Sequence, residues 1–200
     1  MLGALLGGPV GMTGYLLAIK YLGPAYTAII SSLYPALGAL LSYLFLKEKM
    51  KKSNILGLMI SILGIISLGY SPQGMPTHLV MGFIFALLCV FGWASEAVIC
   101  SYGMKDDELT PNQSLFIRQS TSAITYGAII IPLIQGMMFT VATLSDQSLL
   151  LIMLTALAGT LSYSFYYKAI HKIGATKAMS FKYYVFGFGL FLFGIVLQGN

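Results

Sequence analysis

Apolar residues run along this chain in long unbroken blocks, without the period-two alternation of a half-buried strand. Tyr21–Leu46, Ser53–Ser95, Gln119–Ser145 and Gln147–Tyr167 contain no Asp, Glu, Lys or Arg. A helix of about 20 such residues crosses the hydrocarbon core of a bilayer. Cutting the blocks at turn residues and charge clusters predicts seven crossings: Leu2–Leu22, Ala25–Leu46, Ser53–Tyr70, Leu79–Gly103, Asn112–Gly136, Ser148–His171 and Ala175–Gln198. The breakers between them are Gly23-Pro24, the lysine-rich run 47–53, the two prolines of 71–77, the charged run 104–111 and Ile173-Gly174. Strands are excluded for a different reason, because an open sheet edge has no partners in lipid.

Composition fixes the solvent. The chain is 58% hydrophobic and 8% charged, with a mean hydropathy of +0.85. A soluble domain carries about 25% charged residues. The reading is an all-α integral membrane protein. Its first cation is Lys20, so the basic start of a cleavable signal peptide is missing. Cys89 and Cys100 share a helix face but stand about 16 Å apart along it, too far to bond to each other. They read as small apolar packing residues.

The cations set the orientation. Lys47, Lys49, Lys51 and Lys52 fill the second connection, Lys105 the fourth, and Lys168, His171, Lys172 and Lys177 bracket the sixth. The third and fifth connections, Ser71–His78 and Met137–Gln147, hold no Lys or Arg, and the first has Lys20 alone. The even connections are therefore expected in the cytoplasm, including the lysine-rich loop 47–52, with the chain multi-pass in the plasma membrane. The net charge of +5 sorts topology and is not a nucleic-acid patch.

The chain also repeats itself. Gly8–Leu46 and Gly159–Leu197 align at an offset of 151 positions. Gly8 matches Gly159, Tyr15 matches Tyr166, Ala18-Ile19 match Ala169-Ile170, and Gly23 matches Gly174. Gly38, Leu41 and Leu46 match Gly189, Leu192 and Leu197. Each copy is helix, glycine turn, helix, and the charge pattern places the two turns on opposite sides of the membrane. Inverted repeats of this kind mark alternating-access transporters.

Ala18–Ala28 (AIKYLGPAYTA), the Tyr34-Pro35 break and Leu44–Lys49 (LFLKEK) together resemble the EamA-type branch of the drug/metabolite transporter superfamily. The resemblance implies a ten-helix inverted-repeat fold, of which this chain would supply helices three to nine. Residues 1–70 would then be a partial first EamA-type repeat, helices three to five of the family, and 78–200 a second repeat lacking its last helix. Lys47-Glu48-Lys49 stands where the family has an acid between helices. Lys182–Phe186 stands where the family often has an acid-proline pair in its ninth helix. Truncation at both ends is expected on this reading, with the remaining helices supplied by a homo-oligomer or a partner.

Three ionisable residues fall well inside crossings: Glu96, Arg118 and Lys182. An isolated charge at mid-membrane costs about 2.5–3.5 kcal/mol on insertion scales, so such groups face a cavity or one another. Helical rise puts all three at a similar level, roughly 10 Å from one membrane face. A Glu96–Arg118 pair with Lys182 nearby is the expected arrangement, either as a substrate or proton site or as an ion pair holding helices in register. Trp93, one turn from Glu96, reads as the cap of a substrate ring or as an interface anchor. Gln119, Ser120, Thr121 and Ser122 line the same cavity or serve as hydrogen-bond glue. Gly3, Gly7 and Gly11 form a small-residue stripe for close helix packing, or hinges. Pro35 removes a backbone hydrogen bond and is the expected helix break.

No enzyme signature is found. His78 and His171 sit at no metal-ligand spacing, no phosphate-cradling glycine-lysine loop occurs, and no cofactor or metal is expected. The leading function is a secondary transporter of a small organic molecule, a metabolite or drug-like compound, with proton coupling as one option. The alternatives are a non-functional truncated remnant and a seven-helix sensor in which Lys182 carries a chromophore. The last would need a carboxylate in the third crossing, and Ser53–Tyr70 has none.

Overall fold

A computed structural model describes residues 1–48, 59, 78–105, 108–144 and 149–179. All of the third crossing but Met59, and the seventh from Ser180 onward with Lys182, lie outside these residues. Every regular element among the described residues is helical. Among the described residues, four helices are long and apolar enough to cross a membrane: Leu2–Leu22, Tyr26–Leu46, Leu79–Gly103 and Leu149–Ile173.

Helix α1 (Leu2–Leu22) contains one widened turn at Leu6–Val10. Pro9 sits inside that turn and has no amide hydrogen to donate, so the α-type ladder is interrupted there. The Gly11 amide donates to the Leu6 carbonyl, five residues back, and regular helix resumes. Gly23 ends α1 with φ 81, and Pro24 opens α2 (Pro24–Ser31) at a position where its missing N–H costs nothing. The Thr27 hydroxyl donates to the Gly23 carbonyl at 2.8 Å. The second crossing then breaks at Ser32-Leu33, and α3 (Tyr34–Leu46) restarts with Pro35 in its first turn. In that first turn the missing N–H of Pro35 costs nothing, because the first amides of a helix have no partner within it.

Helix α4 (Leu79–Gly103) is the central element. Helix α5 begins at Pro111–Thr125, with Thr110 as a reciprocal cap: the Gln113 amide donates to Thr110 Oγ1 and the Thr110 amide to Gln113 Oε1. It continues through a second widened turn, Tyr126–Ile130, ahead of Pro132, and ends at Leu133. The next segment corrects an expectation. Met137–Gln147 was read as a connection, but Met137–Leu144 forms a short helix, α6. Its residues are apolar apart from Thr140 and Thr143, and Gln135 with φ 55 interrupts the helical path just ahead of it. Helix α7 (Leu149–Ile173) is followed by Gly174 with φ 83 and a new helix from Ala175.

Glycines set how closely α1 approaches α4. A Cβ on Gly3 would meet Ile99, one on Gly7 would overlap Glu96, one on Gly11 would meet Trp93, and one on Gly14 would meet the backbone at Phe85 and Cys89. Ascending numbers on α1 meet descending numbers on α4, so the two helices are antiparallel. Opposite Gly11 stands Gly92, where an added Cβ would lie 3.0 Å from the Gly11 Cα. The small-residue stripe is therefore a packing seam.

The two glycine turns lie at opposite ends of the bundle. Gly23 is at the end where Leu22 and Tyr21 pack on Gly82 and the Tyr21 ring meets His78. Gly174 is at the other end, beside the carboxylate of Glu48, which accepts a hydrogen bond from Thr176 Oγ1 at 3.0 Å. One buried cluster at that end joins Ala97, Met104, Ile170, Ala175, Ala178 and Met179.

Candidate functional site

The centre of the bundle holds a buried ion pair. Glu96 on α4 and Arg118 on α5 are 6% and 8% exposed, and Arg118 Nε donates to Glu96 Oε1 at 2.7 Å. The pairing expected from depth alone is thus formed. Its position follows from the helices: Glu96 is seven residues before the end of α4, and Arg118 seven residues after the start of α5. Those two ends are adjoining because only the short connection from Met104 to Thr110 links them.

A third group joins them. Tyr167 on α7 is fully buried and donates its hydroxyl to the same Glu96 Oε1 at 2.8 Å. Cys100 Sγ donates in turn to the Tyr167 oxygen at 3.4 Å. The Arg118 guanidinium carbon lies 4.0 Å from the Tyr163 ring centroid, a cation–π distance. Tyr163, Tyr166 and Tyr167 contact one another at centroid distances of 6.2–6.5 Å. A carboxylate and a guanidinium buried together are tolerable only when their remaining hydrogen-bonding capacity is met. Here Tyr167 and the Tyr163 face help to meet it.

Of the two readings of Trp93, the interface anchor does not match its surroundings: the ring lies inward, 5.3 Å from Tyr15 and 5.7 Å from Tyr34. The absent side chain of Gly11 makes the room, since a Cβ there would stand 2.9 Å from Trp93 Cδ1. Gln119 is beside the pair: Arg118 Nη1 donates to Gln119 Oε1 at a long 3.5 Å. Ser122, one turn beyond Arg118, is buried against Gly8. Lys182 lies outside the described residues. Tyr163 and Tyr167 were missed, although Tyr163, Tyr166 and Tyr167 share one helix face by their spacing. That spacing was the available signal.

Chemically, the site combines one acid, one base and a wall of aromatic faces in a water-poor setting. Such a setting holds charge only in pairs. An arriving solute or proton that alters either partner changes the interaction between α4, α5 and α7 at once.

Residues 1–70 match the EamA-like transporter family. The family expected from Ala18–Ala28 and Leu44–Lys49 is the one found. Protein LicB of Haemophilus influenzae (strain ATCC 51907 / DSM 11121 / KW20 / Rd) is 38% identical over 191 residues, covering 94% of this chain and 64% of the relative. The chain thus spans a little under two thirds of the length of that curated relative. An EamA-like match together with four apolar helices of crossing length makes this a multi-pass membrane protein of helical build. Glu96, Arg118 and Tyr167 lie beyond the 70 residues matched to the family, so the family match alone assigns them no role.

Proposed function

We propose that this chain is a secondary transporter, or the greater part of one, that moves a small organic molecule by alternating access. The observation that carries the reading is a pair of like glycine turns at opposite ends of the bundle, around a buried ion pair. Gly23 and Gly174, 151 positions apart, share nearly the same φ, 81° and 83°. Two related halves facing opposite ways can rock about a central site and open it first to one side and then to the other.

In this reading the Glu96–Arg118 pair is the coupling element. A solute charge or a proton delivered to Glu96 competes with Arg118 and loosens the three helices that meet there. The end of the bundle bearing Glu48 and Gly174 is cytoplasmic, by the excess of lysine in the adjoining connections, and the membrane is the plasma membrane. Helix α7 presents Leu150, Leu151, Leu154, Leu157 and Leu161 outward, each more than half exposed. Lipid covers that face, or helices from a second copy or partner.

Uptake of a metabolite panel into proteoliposomes under an imposed pH gradient tests the proposal. Uptake by the chain, abolished in Glu96→Gln/Arg118→Gln while the variant stays folded, is the expected result. A folded chain that moves nothing on the panel would favour the reading as a non-functional remnant.

A further inference from the structure

Among the described residues, four buried side-chain polar atoms have no hydrogen-bond partner, and three of them are carried by α4 and α5. They are Trp93 Nε1, Ser122 Oγ and Tyr126 Oη. A Cβ on Gly8 would overlap Ser122 Oγ, and a Cβ on Gly11 would lie 3.1 Å from Trp93 Nε1. Gly8 and Gly11 are adjacent on one helix face, so the indole N–H and the serine hydroxyl flank the same stretch of α1. Tyr126 follows Ser122 by one turn of α5.

An unpaired buried donor or acceptor is costly, and lipid offers no water to relieve it. Three such groups, two of them against neighbouring glycines of α1, are hard to account for as packing, because Phe at 93 or 126 and Ala at 122 would fill the same space without the penalty. The backbone points the same way. The widened turn Leu6–Val10 contains Gly8, and the widened turn Tyr126–Ile130 begins at Tyr126. Such turns recur at functional sites, since they free backbone groups and re-aim side chains.

We propose that Trp93 Nε1, Ser122 Oγ and Tyr126 Oη form a hydrogen-bonding subsite for an uncharged oxygen of the transported solute, a hydroxyl or a carbonyl. The inference rests on the transport reading and deepens it. The indole can only donate, so the occupant must bring an acceptor, while the two hydroxyls can donate or accept. The subsite lies on α5 one to two turns past Arg118, away from the Glu48 end of the bundle. A solute would then be read at two points: its charge at Glu96 and Arg118, its neutral oxygen here.

Trp93 is the only tryptophan of the chain, so its emission reports this subsite alone. The full chain in phosphatidylethanolamine/phosphatidylglycerol nanodiscs is titrated with two matched pairs, 3-aminopropan-1-ol against propylamine and 3-hydroxypropionate against propionate. In the pair whose charge suits the site, the hydroxyl-bearing member should shift Trp93 emission at about tenfold lower concentration, the worth of one well-made hydrogen bond. The Ser122→Ala/Tyr126→Phe variant keeps the tryptophan and should lose that preference. Its melting temperature should equal or exceed the parent's, since it sheds unpaired polar atoms. Three results would overturn the proposal: equal half-saturation within both pairs, a preference that survives in the variant, or no response to any of the four probes. A variant that melts well below the parent would also overturn it, by showing that the hydroxyls hold the helices together. Failure of the transport reading looks different: the hydroxyl preference is present in nanodiscs, yet proteoliposomes accumulate nothing.

Discussion

Glu96 occupies the space where a side chain on Gly7 would stand. A Cβ built on Gly7 overlaps the Glu96 carboxylate, and the same carboxylate is bonded to Arg118 at 2.7 Å. The glycine of one helix therefore decides whether the ion pair between two others can form.

Gly7→Ala must either part α1 from α4 or push Glu96 away from Arg118. The second route leaves two buried charges poorly paired, which costs about 3–5 kcal/mol when a buried pair is broken. Thermal unfolding in detergent should show a large loss of stability. Gly159→Ala is the control of opposite sign. Nothing lies within 4 Å of a Cβ there, and Ala in a helix interior is favoured over Gly by roughly 0.5–1 kcal/mol. It should be neutral or stabilising, although Gly159 is the repeat counterpart of Gly8.

Tyr167→Phe removes a donor to Glu96 Oε1 and the acceptor of the Cys100 thiol, while keeping the ring. The expected loss is about 0.5–1.5 kcal/mol, the net worth of a hydrogen bond. It should be clearly smaller than that of Arg118→Gln. If the two variants melt alike, Glu96 depends on Tyr167 as much as on its cation.

Orientation is open to direct labelling. With Cys89 and Cys100 replaced by Ala, a cysteine at Lys47 should react only with a reagent on the cytoplasmic side, and one at His78 only from outside. The warrant is the excess of lysine around the Glu48 end and its absence from the connection that ends at His78. Reaction of position 78 from the cytoplasm would reverse the orientation.

The boundaries of α1 and α4 were legible because each block is uniformly apolar and ends in a clear signal, Gly23-Pro24 or a charged run. The Glu96–Arg118 pair was legible too, because few charges are buried and depth restricts which can meet. Less was visible where the deciding feature is shape. The widened turns depend on Pro9 and Pro132 acting within otherwise regular helices, and hydropathy does not register them. Trp93 turns inward because Gly11, distant in sequence, vacates the space. Helix α6 was hidden because a short apolar segment after a turn reads equally as loop or helix. Tyr167 was overlooked because a tyrosine in an apolar helix resembles packing until its hydroxyl has a partner.

The charge pair itself yields the most discriminating prediction. Glu96→Gln leaves Arg118 as an uncompensated cation against Tyr163, and Arg118→Gln leaves Glu96 with Tyr167 as its remaining bonded neighbour. Each single variant should lower the yield of folded protein in size-exclusion chromatography, because a stranded buried charge costs several kcal/mol, about 3–5. The double variant removes both charges and should recover much of that yield, giving a coupling energy well above the 0.2–1 kcal/mol typical of exposed pairs. Restored folding with lost uptake under a pH gradient would assign the pair to transport. Restored folding with uptake intact would leave it a structural role only. If the double variant folds no better than the singles, the two charges do not depend on each other, and Lys182 becomes the partner to test against Glu96.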